Sequence, residues 1–311
     1  MKKITLLYLV LFCLSSGWSI ASAGPRVVVS IKPLHSLVSG VMEGIGTPQL
    51  LVKGGGSPHG YILRPSEAQA LARADLIVWV GPELESFLEK PLTTLAKKSQ
   101  QLELAERLEE ELLVKRHGES WEKPGHRHHA EAADDGHQTN VQADLHLWLD
   151  PALAKKIVAL TANKLAEIDP AQSARYQTNK TRVLAKIDRL DRQLREQLNP
   201  VKEIPYIVFH AAYQYFESAY GLNAVGSVTI DPERQPGAKR IREIRAKINE
   251  LNARCVFSEP QFESRLVATI LEGTETRTGI LDPLGADIEE GPDAYFLLLQ
   301  RMADNLVKGL R

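Results

Sequence analysis

The chain has 311 residues, 25% of them charged, and a formal net charge of −1 at neutral pH. Nothing in so even a balance suggests the concentrated basic face that a nucleic acid requires. The length is enough for two modest domains, each with its own core.

Lys2 and Lys3 precede an apolar run over 4–14, and Ala21-Ser22-Ala23 supplies small residues for cleavage. Residues 1–23 therefore read as a secretory signal peptide, because the run is too short to cross a bilayer. Cys13 lacks the small residues that precede a lipid-acceptor cysteine. Cleavage before Gly24 removes two lysines and no acid, which moves the charge from −1 to −3. It also leaves Cys255 as the single cysteine of an exported chain, with no disulfide partner, so stability must come from buried area.

Apolar β-rich runs at 27–31 (VVVSI), 49–52 (QLLV) and 76–81 (LIVWVG) predict strands. Helical patterns separate them at 66–75 and 84–98, with Pro91 expected to kink or break the second. HLWLD (146–150) completes this first set. Alternation of this kind predicts a parallel sheet flanked by helices. Between them, 115–141 is rich in His, Glu, Asp and Gly and cannot build a core; it predicts a mobile loop.

From 151 to 198 the pattern is helical. The segment 154–168 is amphipathic, Asp169-Pro170 restarts the chain, and 171–198 contains neither Gly nor Pro. At 1.5 Å per residue this last helix would be about 40 Å long, a stiff joint rather than a free hinge. The β/α alternation then resumes, with strands at 204–210, 223–230, 253–259 and 276–283 and helices at 212–220, 238–252, 262–272 and 293–310. The expected division is an N-terminal α/β lobe over 24–168, a linking helix over 169–199 and a C-terminal α/β lobe over 200–311.

Three of the nine histidines stand at or just beyond predicted strands: His59 after QLLVK, His146 opening HLWLD, and His210 ending IPYIVFH. Ligands collect beyond the carboxyl ends of parallel strands. Three imidazoles from two lobes make a plausible sphere for zinc in the cleft between them. The fourth position falls either to Asp282, in GILDPLG, or to water; Asp282-Pro283 also reads as a turn start. Glu259 is taken to pair with a cation rather than ligate, and His35, in a helix-start pattern, is taken as structural. His117, His126, His128, His129 and His137, among acids in the polar loop, suit weak accessory metal binding.

The segments SPHGYILRPSEAQAL, DLHLWLDP, VFHAAYQYFESAYGL, CVFSEPQF and GILDPLG resemble, in order and across the mature chain, the metal-specific solute-binding proteins of bacterial ABC importers, particularly the zinc-uptake branch. The resemblance implies two α/β lobes, a long helix between them and a metal held in the cleft. It carries the ligand role onto His59, His146 and His210, and the acidic ligand of some members onto Asp282. It also implies a periplasmic monomer that passes Zn2+ to the membrane permease of an ABC importer. The acidic, His-rich 115–141 insertion is typical of zinc members.

Three positions depart from the pattern. Pro58 stands where some zinc members place an acid, Ala211 replaces an acid after the third histidine, and the C-terminus lacks the cysteine that would pair with Cys255. Other readings of a three-His site are a manganese-preferring receptor, a metal-binding adhesin of the same family, or a zinc hydrolase. For the last, no HExxH or GxSxG motif supplies a base or nucleophile, so the chain is expected not to be an enzyme.

Overall fold

Val27–Val29 forms a strand (β1) because three β-branched residues in succession restrict a helix and suit a pleated surface. The structure is a computed structural model that describes residues 24–116, 142–229, 237–262 and 264–311. The signal peptide and the five loop histidines, His117, His126, His128, His129 and His137, lie outside the described residues. β1 pairs in parallel with β2 (Gln49–Leu50) on one side and β3 (Leu76–Trp79) on the other. β4 (Gln100–Glu103) extends the sheet in the order β2-β1-β3-β4. A second parallel sheet is built from β5 (Tyr206–His210), β6 (Ala224–Thr229), β7 (Cys255–Ser258) and β8 (Arg277–Ile280), in the order β6-β5-β7-β8. These are the two parallel α/β lobes that the alternation predicts.

The fourth strand of the first sheet is not HLWLD. Leu147–Leu149 form a 3-10 turn, and Asp150 caps the next helix, α5 (Pro151–Ile168), accepting from the Ala152 amide at 2.7 Å. An Asp-Pro pair at a helix start ends an extended run. Leu147, Trp148 and Leu149 are buried together, without the alternation of a strand. The true fourth strand, QQLE, lies at the sheet edge with only Leu102 buried, so it carries no apolar run.

In the first lobe the remaining helices are α1 (Lys32–Val41), α2 (Pro65–Arg73), α3 (Ser86–Thr94) and the single turn α4 (Leu104–Arg107). Pro91 lies inside α3, which ends three residues later. The long helix α6 (Ser173–Leu198) buries Tyr176, Asn179, Val183, Ile187, Leu190, Leu194 and Leu198. Steps of three and four place them on one stripe about 33 Å long. The second lobe adds α7 (Gln214–Tyr220), α8 (Ala238–Glu250), α9 (Ser264–Leu271) and α10 (Ala294–Leu310).

The main core is not divided between the lobes. α1 packs on β1, α10 packs on β7 and β8, and α1, α6 and α10 pack on one another. One buried cluster therefore runs from Val29 and Leu37 through Ile187 to Val208 and Leu299, with a smaller cluster on the outer side of each sheet. At Gly40 the close approach of α1 to α6 leaves no room for a side chain: an added Cβ would lie 2.8 Å from a methyl of Val183. Polar links cross between the halves as well. The buried Lys32 ammonium donates to the carbonyls of Gly285 at 2.5 Å and Ile288 at 2.7 Å, and Trp148 Nε1 donates to Pro283 O at 2.8 Å.

Candidate metal centre

His59 sits in the loop between β2 and α2, after three consecutive glycines, of which Gly54 has a φ of +59° that favours glycine. Two anchors hold this loop. The Tyr61 hydroxyl lies 2.8 Å from Glu67 Oε1 and 3.1 Å from Leu51 O. The other Glu67 oxygen accepts from the Arg64 amide at 2.8 Å in the cap of α2. His59 Nε2 is buried and has no hydrogen-bond partner among the described residues.

His146 immediately precedes the 3-10 turn. Asp144 Oδ1 accepts from the His146 amide at 3.0 Å and faces its Nδ1 at 2.8 Å. This places the ring proton on Nδ1 and leaves the Nε2 lone pair free. The Asp144 backbone is held from the other lobe by the Tyr215 hydroxyl, which donates to its carbonyl at 2.7 Å and accepts from the Leu113 amide at 2.9 Å. His210 is the last residue of β5 and is buried, with Nδ1 3.4 Å from Glu259 Oε1 just beyond β7.

The three imidazoles converge. Their ring centroids are 5.7 Å apart for His59 and His146, 5.3 Å for His59 and His210, and 4.9 Å for His146 and His210. One nitrogen from each lies within 4.8 Å of the others. A tetrahedral zinc with bonds of about 2.0–2.1 Å would draw such donors to roughly 3.3 Å apart. Trp148, Phe262, Pro283 and Leu284 close one side of the cavity, and Glu83, Lys115 and Ala211 border the other.

Electrostatics keep His59 and His146 in the form that binds metal. Burial pushes His59 down to about 2, helped by the nearby His210 and His146. Burial also lowers His146, although Asp144 pulls the other way. Only a neutral imidazole has a lone pair to give.

Asp282 is not brought into this group. Its Oδ1 accepts from the amides of Leu284 and Gly285, both at 2.9 Å, and from Gln261 Nε2 at 2.7 Å; its Oδ2 accepts from the Ala286 amide at 2.5 Å. The carboxylate organises the turn after β8, and among the described residues the clustered donors are the three histidines alone. Ser57 and Pro58 beside His59 also line the cavity, and Pro58 supplies no side-chain donor. His35 lies in α1 with Nε2 2.9 Å from Pro48 O, away from the group. Cys255 is a free buried thiol. Asp144 escaped the sequence reading, although its spacing two residues before a histidine was a usable signal. Glu259 was seen, but its place against His210 was not.

The model of the family described as zinc-uptake complex component A, periplasmic, matches residues 27–309. The high-affinity zinc uptake system protein ZnuA of Brucella abortus (strain 2308) is 45% identical over 315 residues, covering 95% of this chain and 93% of its own. That of Yersinia pestis is 37% identical over 304 residues, covering 96% and 94%. Among solved structures, a ZnuA crystal structure superposes with a TM-score of 0.76 over 93% of this chain and 100% of the other; at 24% identity this supports the fold.

Proposed function

Since the chain belongs to the zinc-uptake complex component A family of periplasmic proteins, we propose that it captures Zn2+ in the periplasm and delivers it to the membrane permease of an ABC importer. The observation that carries this reading is the convergence of His59, His146 and His210 on one buried point. Imidazole donors with no carboxylate clustered among the described residues suit zinc and argue against a manganese preference.

Carriage and not hydrolysis fits the surroundings of the site. Two carboxylates beside the rings, Asp144 and Glu259, face ring nitrogens and are buried, instead of being positioned to activate a water. The protein therefore acts as a receptor and not as an enzyme. Residues 1–23 direct export, the mature chain works as a monomer, and Cys255 stays reduced without a disulfide partner. Lobe 24–168 supplies His59 and His146, lobe 200–311 supplies His210, and helix 169–199 holds them in register.

Loading and release follow from this arrangement. His146 and His210 sit on segments tied across the shared core, through Tyr215 and Trp148 on one side and β5 on the other. His59 sits on a glycine-rich loop, so loading draws that loop onto the other two ligands. Docking on the permease pulls it away, which lengthens one bond and opens the sphere without large rotation of the lobes. Growth of a deletion strain under zinc chelation tests the reading. The chain should restore growth, and so should added zinc, whereas a His210→Ala chain should not restore it. Rescue by that variant equal to the parent would refute the assignment.

A further inference from the structure

Two carboxyl groups flank the three imidazoles, and neither belongs to the donor group. Asp144 is 3% exposed and Glu259 is 4% exposed. Each has one oxygen facing the Nδ1 of a candidate ligand: Asp144 Oδ1 at 2.8 Å from His146, and Glu259 Oε1 at 3.4 Å from His210. Asp144 Oδ2, Glu259 Oε1 and His210 Nδ1 are buried without hydrogen-bond partners among the described residues, so the approach of Glu259 to His210 stops short of a hydrogen bond in the metal-free fold. A buried carboxylate with an unpartnered oxygen is costly unless a cation lies close by. Two such groups are placed symmetrically, one from each lobe, on the outer side of the same cluster.

We infer that Asp144 and Glu259 are positioning residues for the metal cargo: Asp144 accepts the Nδ1 proton of His146, Glu259 closes on Nδ1 of His210 when metal is held, and each thereby turns Nε2 of its ring into the cavity. The inference rests on the three-histidine reading of the site. Such outer carboxylates fix the tautomer of a ligand imidazole and raise its basicity. Among the described residues, no carboxylate faces the His59 ring as Asp144 and Glu259 face the other two. It is therefore the least firmly oriented of the three, in keeping with its place on the glycine-rich loop.

The test uses the full mature chain and its Asp144→Asn, Glu259→Gln, Glu259→Ala and His210→Ala variants. Zinc affinity is read by competition with a chromophoric chelator, Co2+ coordination by its visible spectrum, and metal-free folding by thermal unfolding. Asp144→Asn and Glu259→Gln should each weaken zinc by roughly 10- to 100-fold at an unchanged or raised metal-free melting temperature, since each removes a buried carboxylate that lacks a cation. Co2+ should keep a tetrahedral band with a shifted maximum. Glu259→Ala should bind more weakly than Glu259→Gln, because the amide restores the acceptor though not the charge. If Glu259→Ala fails to fold, the Gln and Asn variants decide alone. Zinc binding within about twofold of the parent in both overturns the inference. His210→Ala separates the two readings: retention of parental affinity there sinks the three-histidine site itself. Its loss there, with parental binding in the Asn and Gln variants, sinks only the role given to the carboxylates.

Discussion

Replacing Asp282 with alanine separates an anchor from a ligand. The carboxylate accepts four hydrogen bonds, from the amides of residues 284, 285 and 286 and from Gln261. Bonds to a charged acceptor contribute about 1.5–3 kcal/mol each, but the four share one carboxylate and the freed amides can reach water, so a net loss of about 3 kcal/mol is expected. For a chain of this size that corresponds to a fall in melting temperature of roughly 6 °C. Zinc affinity should change less than about tenfold. Loss of a true ligand removes roughly a quarter of the 10–16 kcal/mol typical of a structural zinc, about 3 kcal/mol or two orders of magnitude. Calorimetry of the metal-free protein and zinc competition on the same sample read both quantities. A loss of affinity of two orders at an unchanged melting temperature would show that Asp282 binds the metal and refute the turn assignment.

Further outcomes follow from the same geometry. His59 is pushed down to about 2 in the fold but titrates near 6.5 when unfolded. The unfolded chain therefore takes up the proton first, and stability from the neutral ring is lost as pH falls below about 6.5. Between pH 7 and 5 the metal-free parent should lose about 2 kcal/mol relative to His59→Asn. The buried Glu85, pushed up to about 7, acts in the opposite sense in both proteins and cancels in the difference; equal slopes in urea unfolding would contradict the burial argument. Lys32→Met deprives three carbonyls in the 285–288 turn of their donor and should cost about 2 kcal/mol; an unchanged denaturation midpoint would show that this cross-lobe link contributes nothing. Deleting 117–141 should leave one tightly held zinc and lower the number of weakly held ions in equilibrium dialysis, whereas loss of the tight ion would place it on the loop and not on His59, His146 and His210.

Much of this was legible in the residues, for identifiable reasons. Strands buried on both faces read as continuous apolar runs, and YIVFH placed His210 at the end of one. The same logic misled at HLWLD, where an equally apolar run is buried as a turn between lobes, and it passed over QQLE, whose edge position needs no apolar residue. Two separate cores were expected because each half has its own sheet. The shared packing of α1, α6 and α10 becomes visible only when sequence-distant faces meet. Asp282 precedes a proline, and the same dipeptide suits a ligand loop and a turn, so only its hydrogen bonds decide. Lys32 and Glu259 depend on neighbours far away in the chain, 253 residues for Lys32 and Gly285, and no local pattern announces such contacts.

Zinc-edge X-ray absorption on the full mature chain, loaded with one equivalent of zinc, addresses the central claim most directly. Three imidazole nitrogens at about 2.0–2.1 Å, completed by one light oxygen atom, are predicted. A spectrum with fewer than three imidazoles would contradict it, because His59, His146 and His210 would then not share one ion.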